Sequence, residues 1–62
     1  MTEYTYAQNR PETPIQDWWT VYADGNPIHH WATEAQAETF ASHLRHGMDR
    51  DDARRAVREE FK

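Results

Sequence analysis

Four histidines are the first residues in this 62-residue chain whose type and spacing admit chemistry. His43 and His46 stand three apart in a stretch patterned as a helix, which puts both imidazoles on one face, and His29 or His30 offers a third nitrogen from a neighbouring segment. The pattern is metal-ligating only in outline. A structural zinc takes four ligands, the chain has no cysteine to give a thiolate, and no carboxylate stands at a matching position. The ordinary reading is four solvent-facing or hydrogen-bonded histidines, so no metal is expected, and His43 and His46 are the weak candidates should one bind.

Other chemistry finds less support. There is no Ser/His/Asp arrangement with supporting context, Gly25 and Gly47 are too few for a phosphate-binding loop, and a domain this small offers no deep cleft. A non-enzyme without a cofactor is the expectation. Arg50, Arg54 and Arg58 recur every four residues and form a basic ridge along a C-terminal helix, with Arg55 further round, a pattern able to meet DNA phosphates. Asp51, Asp52, Glu59 and Glu60 are interleaved with it and weaken its field. Charge is uneven along the chain: residues 1–40 hold six acids and one base, residues 41–62 six bases and five acids, which sums to the net −4. Nucleic-acid binding through Arg50, Arg54, Arg55 and Arg58, as in a small accessory factor or transcriptional regulator, is therefore the alternative reading.

Three tryptophans and three tyrosines in so short a chain are the strongest functional hint. A two- or three-stranded sheet has two faces, and fewer than thirty helical residues cover one of them. Some of Trp18, Trp19, Tyr22 and Trp31 should then stay exposed, and exposed Trp and Tyr are the residues that anchor protein interfaces. The expected partner-binding set is Trp18, Tyr22 and Trp31, with Asp17 and Asp24 as an acidic rim.

The elements that must position these residues follow from periodicity. Thr2 to Gln8 alternates Tyr4 and Tyr6 with Glu3, Thr5 and Ala7, the period-2 pattern of a half-buried strand. Residues 9–16 contain Pro11 and Pro14 and form a loop, because two prolines three apart continue neither a helix nor a central strand. A β-hairpin occupies residues 17–32. Trp18 to Ala23 is rich in aromatic and β-branched residues, and Asp24-Gly25 suits a type I′ turn, in which both central residues take positive φ. That turn sets Val21 opposite Ile28 and puts Trp18, Tyr22 and Trp31 on the other face. A three-residue loop with a bulge would instead flip every side chain of the return strand. Pro27 cannot donate to a ladder, so the return strand is an edge, or turns that side outward.

Thr33-Glu34-Ala35-Gln36 is a capping box that opens a helix over residues 33–46, with Ala37, Phe40, Ala41 and Leu44 as its apolar stripe and Gly47 as its stop. Asp49 caps a second helix over residues 49–61, whose stripe is Ala53, Ala56, Val57 and Phe61, with Asp51 and Arg55 at ion-pair spacing. The expected fold is α+β: a small antiparallel sheet of two or three strands, in β-β-β-α-α order, covered on one face by two short helices in a single domain. Its core is Val21, Ile28, Trp19, Ala37, Phe40, Ala41, Leu44, Ala53, Val57 and Phe61. Lacking cysteine, an apolar run of membrane-spanning length and a basic-then-apolar leader, the chain is expected to be soluble and cytoplasmic.

The run Trp19-Thr20-Val21-Tyr22-Ala23-Asp24-Gly25-Asn26-Pro27-Ile28, followed by Thr33-Glu34-Ala35-Gln36-Ala37 and Phe40, resembles the hairpin-plus-helix unit of small phage and mobile-element proteins. It is similar to the arm-site DNA-binding domain of tyrosine recombinases and to small anti-CRISPR and host-takeover proteins. The recombinase domain carries basic strands, whereas this hairpin has Asp17 and Asp24 and neither Lys nor Arg. What the resemblance implies is an inhibitor or regulator encoded by a phage or mobile element that docks on a host protein complex, in the host cytoplasm. A homodimer is a further expected partner, since an uncovered aromatic face invites a second copy.

Overall fold

The computed structural model describes residues 2–9 and 18–61. Three antiparallel strands, β1 (Tyr4–Gln8), β2 (Trp19–Ala23) and β3 (Asn26–Trp31), form one sheet in the order β1-β2-β3. Helices α1 (Glu34–Arg45) and α2 (Arg50–Glu60) follow, which gives the α+β class and the β-β-β-α-α order. Asp17 and residues 10–16 of the expected loop lie outside the described residues.

The hairpin turns as its sequence dictates. Asp24 has φ 51° and Gly25 has φ 86°, both in the left-handed region that a two-residue I′ turn requires. Ala23 faces Asn26 and Tyr22 faces Pro27, after which the register slips: Val21 pairs with His29 rather than with Ile28. Ile28 is an extra residue on β3, a bulge inside the strand rather than at the turn. The expected Val21–Ile28 pairing is corrected by this one residue. Because side chains alternate, the slip also rotates Trp31 onto the face of Trp19 and Val21.

β1 pairs with β2 so that Tyr4, Tyr6 and Gln8 lie opposite Ala23, Val21 and Trp19, on the face the helices cover. The core is Val21, Trp31, Ala37, Phe40, Ala41, Leu44, Ala53 and Val57, with Tyr4, Tyr6, Trp19 and Ile28 packed partly buried against it. Two expectations change here. Trp31 is only 7% exposed and belongs to the core, while Phe61 is 39% exposed and does not. Phe61 stands at the C-cap, one residue past the last turn of α2 and outside the Ala53–Val57 stripe that α2 buries.

At the start of α1 the box closes as expected, with the Gln36 N–H donating to Thr33 Oγ1 at 3.3 Å and the Thr33 N–H donating to Gln36 Oε1 at 3.2 Å. The helix ends in a Schellman motif: the Met48 N–H reaches the His43 carbonyl at 3.1 Å, the Gly47 N–H reaches that of Leu44 at 3.0 Å, and Gly47 sits at φ 91°. Arg45, in the last turn, donates to the Tyr4 carbonyl at 2.5 Å and ties the helix to the free edge of β1. Asp49 holds the N-cap position of α2, but its side chain makes no capping bond. The expected Asp51–Arg55 pair is also replaced, because Asp51 accepts from Arg54.

Candidate protein-docking surfaces

Alternation on the sheet creates two unlike faces. Trp19, Val21 and Ala23 point toward the helices, so Thr20 and Tyr22 on β2 point away from them. Their cross-strand neighbours share that face: Thr5 and Ala7 on β1, Pro27 and His30 on β3. Thr5, Ala7, Pro27 and His30 are exposed, Tyr22 is half-buried, and Trp18, just before β2, is 42% exposed.

At the centre of this face Thr20 is 1% exposed and is held from two sides. Its hydroxyl donates to Asn9 Oδ1 at 2.5 Å and lies 2.8 Å from His30 Nδ1. A hydroxyl has one hydrogen. With that hydrogen assigned to Asn9, the oxygen accepts from His30 Nδ1–H. The composition of the strand did not single out this Thr20–Asn9–His30 network. The only signal for it was the place of Thr20 on the polar side of the β2 alternation.

The expected aromatic set is therefore divided. Trp18 and Tyr22 follow the Thr20 alternation on the face away from the helices, and Trp31 is on the opposite one, its ring tilted against those of His29 (ring centroids 4.6 Å) and Phe40 (5.4 Å). Asp24 sits in the turn, where its Oδ1 accepts the Glu3 N–H at 2.8 Å, so its carboxylate fastens β1 to the hairpin as well as standing at the rim.

The arginines line the groove between α2 and β3. Arg50 and Arg54 border a hollow whose floor is Ile28, His29 and Phe40, and Arg58 borders a second one together with Trp18, His29, His30, Trp31 and Gln36. Arg55 is exposed elsewhere on the helix. Arg54 is engaged by Asp51, whereas among the described residues Arg50, Arg55 and Arg58 take part in no ion pair. His29, half-buried among these groups, has its pKa lowered, first by burial and then by the nearby charges of Arg54, Arg58 and His30. His43 is drawn toward Glu60, Nε2 to Oε2 at 3.3 Å, and His46 is exposed at the end of α1. Among the described residues no three metal-ligating side chains converge, and no helix is long and apolar enough to cross a membrane.

Comparisons with protein-family models, with curated proteins and with solved structures returned no match for this chain.

Proposed function

We propose that this chain is a non-enzymatic protein-docking module that engages its partner through the sheet face its helices leave uncovered. The observation that carries the reading is the exposure of Trp18 beside Pro27 and His30, with Tyr22 further along the same face, where Thr20 is already buried and fixed. Tryptophan and tyrosine contribute large contact areas at low entropic cost, and a surrounding ring of small and polar groups excludes water from them. Here Thr5 and Ala7 form that surround. What the hairpin–helix resemblance contributes to the proposal is the class of partner, a host protein complex met by a phage- or mobile-element-encoded inhibitor or regulator. A second copy of the chain is the other partner the same face admits.

Photocrosslinking from a residue substituted at Tyr22, compared with one substituted at Arg55 on α2, tests this in cell lysate. A discrete adduct from the first position that Trp18→Ala removes, with the melting midpoint unchanged, is the expected result. Equal adducts from both positions would overturn it. Sedimentation equilibrium at roughly 100 μM separates a self-dimer from a foreign partner. Duplex DNA titrated across salt should show negligible binding, whereas the accessory-factor alternative requires a steep negative log–log slope.

A further inference from the structure

A second surface lies between β3 and α2, with Trp18 and His30 bordering one end of it. Arg50 and Arg54 approach Ile28 and His29 near the start of β3, while Arg58 approaches Trp31 and Ala32 at its end. Helix α2 thus runs alongside β3 in the same direction. Between them lies a trough of two hollows, of about 220 and 350 Å³, that share His29. The first falls below the range of about 300–1,000 Å³ for a drug-sized pocket and the second lies at its lower end, so each suits a single side chain. The floor is aromatic, built from His29, Phe40 and Trp31 in mutual ring contact. Trp31 is more than nine-tenths buried, and its indole Nε1–H has no hydrogen-bond partner.

We propose that this trough binds an extended acidic segment of a partner protein, with carboxylates at alternate positions reaching the arginines of α2 at the hollows and the intervening side chains turned to the strand's other face. Charge argues for the occupant. The chain is net negative, yet Arg50 and Arg58 line this trough without an ion pair among the described residues, and Asp51, the acid in the first hollow, is already engaged by Arg54. Spacing argues for its conformation. Residues four apart on a helix rise about 6 Å, and alternate residues of an extended strand advance about 6.4–6.8 Å, so an alternating acidic strand tracks Arg50, Arg54 and Arg58 in step.

Among the described residues no strand pairs with the outer edge of β3, and over its second half that edge can take such a strand. The Asp24 N–H donates to Glu3 and the Asn9 N–H to Trp18, which assigns the even-numbered backbone groups of β2 to β1 and the odd-numbered ones to β3. On β3, His29 and Trp31 face inward to Val21 and Trp19, and His30 turns its N–H and carbonyl outward. Pro27, also outward, has no N–H and limits strand addition at the other end. A nucleic-acid duplex fits this site less well, because its phosphates would meet a net-negative protein with acids interleaved along the ridge.

The peptide acetyl-Asp-Leu-Glu-Leu-Asp-amide, titrated into ¹⁵N-labelled full-length protein at low salt, is the probe. Expected are saturable shifts of the Trp31 indole and the His30 amide, and affinity at least about tenfold above that of acetyl-Lys-Leu-Lys-Leu-Lys-amide, a factor worth about 1.4 kcal/mol. The exposed double variant Arg50→Glu/Arg58→Glu should keep the melting midpoint and lose that preference. Equal binding of the lysine peptide, tighter binding of a single-stranded oligonucleotide, or no saturable shift up to about 1 mM peptide would each overturn the proposal. Trp18 and His30 border the second hollow as well, so it is the Arg50→Glu/Arg58→Glu variant, which leaves Trp18 and Tyr22 in place, that separates this site from the Trp18–Tyr22 face: there the Tyr22 crosslink should persist.

Discussion

The two helices are nearly equal in length, twelve residues against eleven, and they are secured in opposite ways. Helix α1 has a closed capping box at one end, a Schellman motif at the other, and four buried side chains. Helix α2 lacks a side-chain cap bond and buries only Ala53 and Val57. Helix α1 is packed on all three strands, and α2 is packed on α1. One helix belongs to the core and the other leans on it, so most of α2 is left free to carry charge. That difference teaches how a chain this small divides its residues: the sheet and α1 hold the fold, and α2 carries most of its side chains as surface charge.

The largest expected effect tests the core side of this contrast. Phe40 is 1% exposed and touches both the His29 and Trp31 rings. Phe40→Ala should cost about 3–5 kcal/mol, as much as a small single core supplies, and should leave the chain unfolded by circular dichroism. A cooperative melt with a native-like midpoint would place the keystone of the core elsewhere. Next in size is Val57→Ala on α2. Two buried methyls at about 0.8 kcal/mol each, plus the space they leave, amount to roughly 2 kcal/mol. Hydrogen exchange should then show α2 amides losing protection while Val21 and Tyr22 keep theirs. If the β2 amides lose protection to the same extent, the two helices form one cooperative unit and the contrast fails.

How legible this arrangement was in the sequence depended on range. Asp24-Gly25, Thr33-x-x-Gln36 and Gly47 each act over four or five residues, so turn, cap and stop were readable from the residues themselves. The third strand was readable from Tyr4 and Tyr6, whose alternation needed only a partner. The bulge at Ile28 was not readable, because a single extra residue inside β3 leaves no local mark. Its consequence is large: it carries Trp31 from the expected surface into the core and splits the aromatic set. Likewise Asp49 has the residue type of a cap, but a cap bond depends on a rotamer that the sequence does not determine. Of the candidate site, the four-residue arginine rhythm was plain. That it lies along β3, over His29, followed only from the packing of α2 on α1.

The caps offer a finer version of the comparison. Thr33→Ala removes a hydroxyl that accepts a backbone N–H and opens the box, and should cost about 1 kcal/mol. Asp49→Ala removes no such bond and should cost only the helix-dipole contribution, about 0.3–1 kcal/mol and falling with salt. Urea midpoints measured for both variants at low and high salt would check this. If Asp49→Ala costs as much as Thr33→Ala at high salt, a cap bond forms in solution and the asymmetry between the helices narrows.

The smallest effect comes where the two helices meet β3. His29 lies against Trp31 and Phe40, with Arg54 and Arg58 of α2, the neighbouring His30 and the carboxylate of Asp51 around it. Burial first, and the two arginines next, push its pKa below the ordinary histidine value. The folded chain therefore binds fewer protons at this site than the unfolded chain does, and stability rises with pH wherever that difference holds. The stabilisation is fully present above the ordinary value of about 6.5 and is lost as the pH falls below it toward the folded pKa. His29 is only half-buried, so solvent screening keeps the effect small. Urea midpoints at about pH 7.5 and about pH 5.5 should differ less in His29→Gln than in the wild type, because the variant has no proton to gain there. Arg58→Gln should also flatten the dependence, by removing one repelling charge while leaving the burial. An unchanged pH slope in His29→Gln would show that another group takes up the proton on unfolding, and that α2 holds its arginines over β3 without electrostatic cost to the fold.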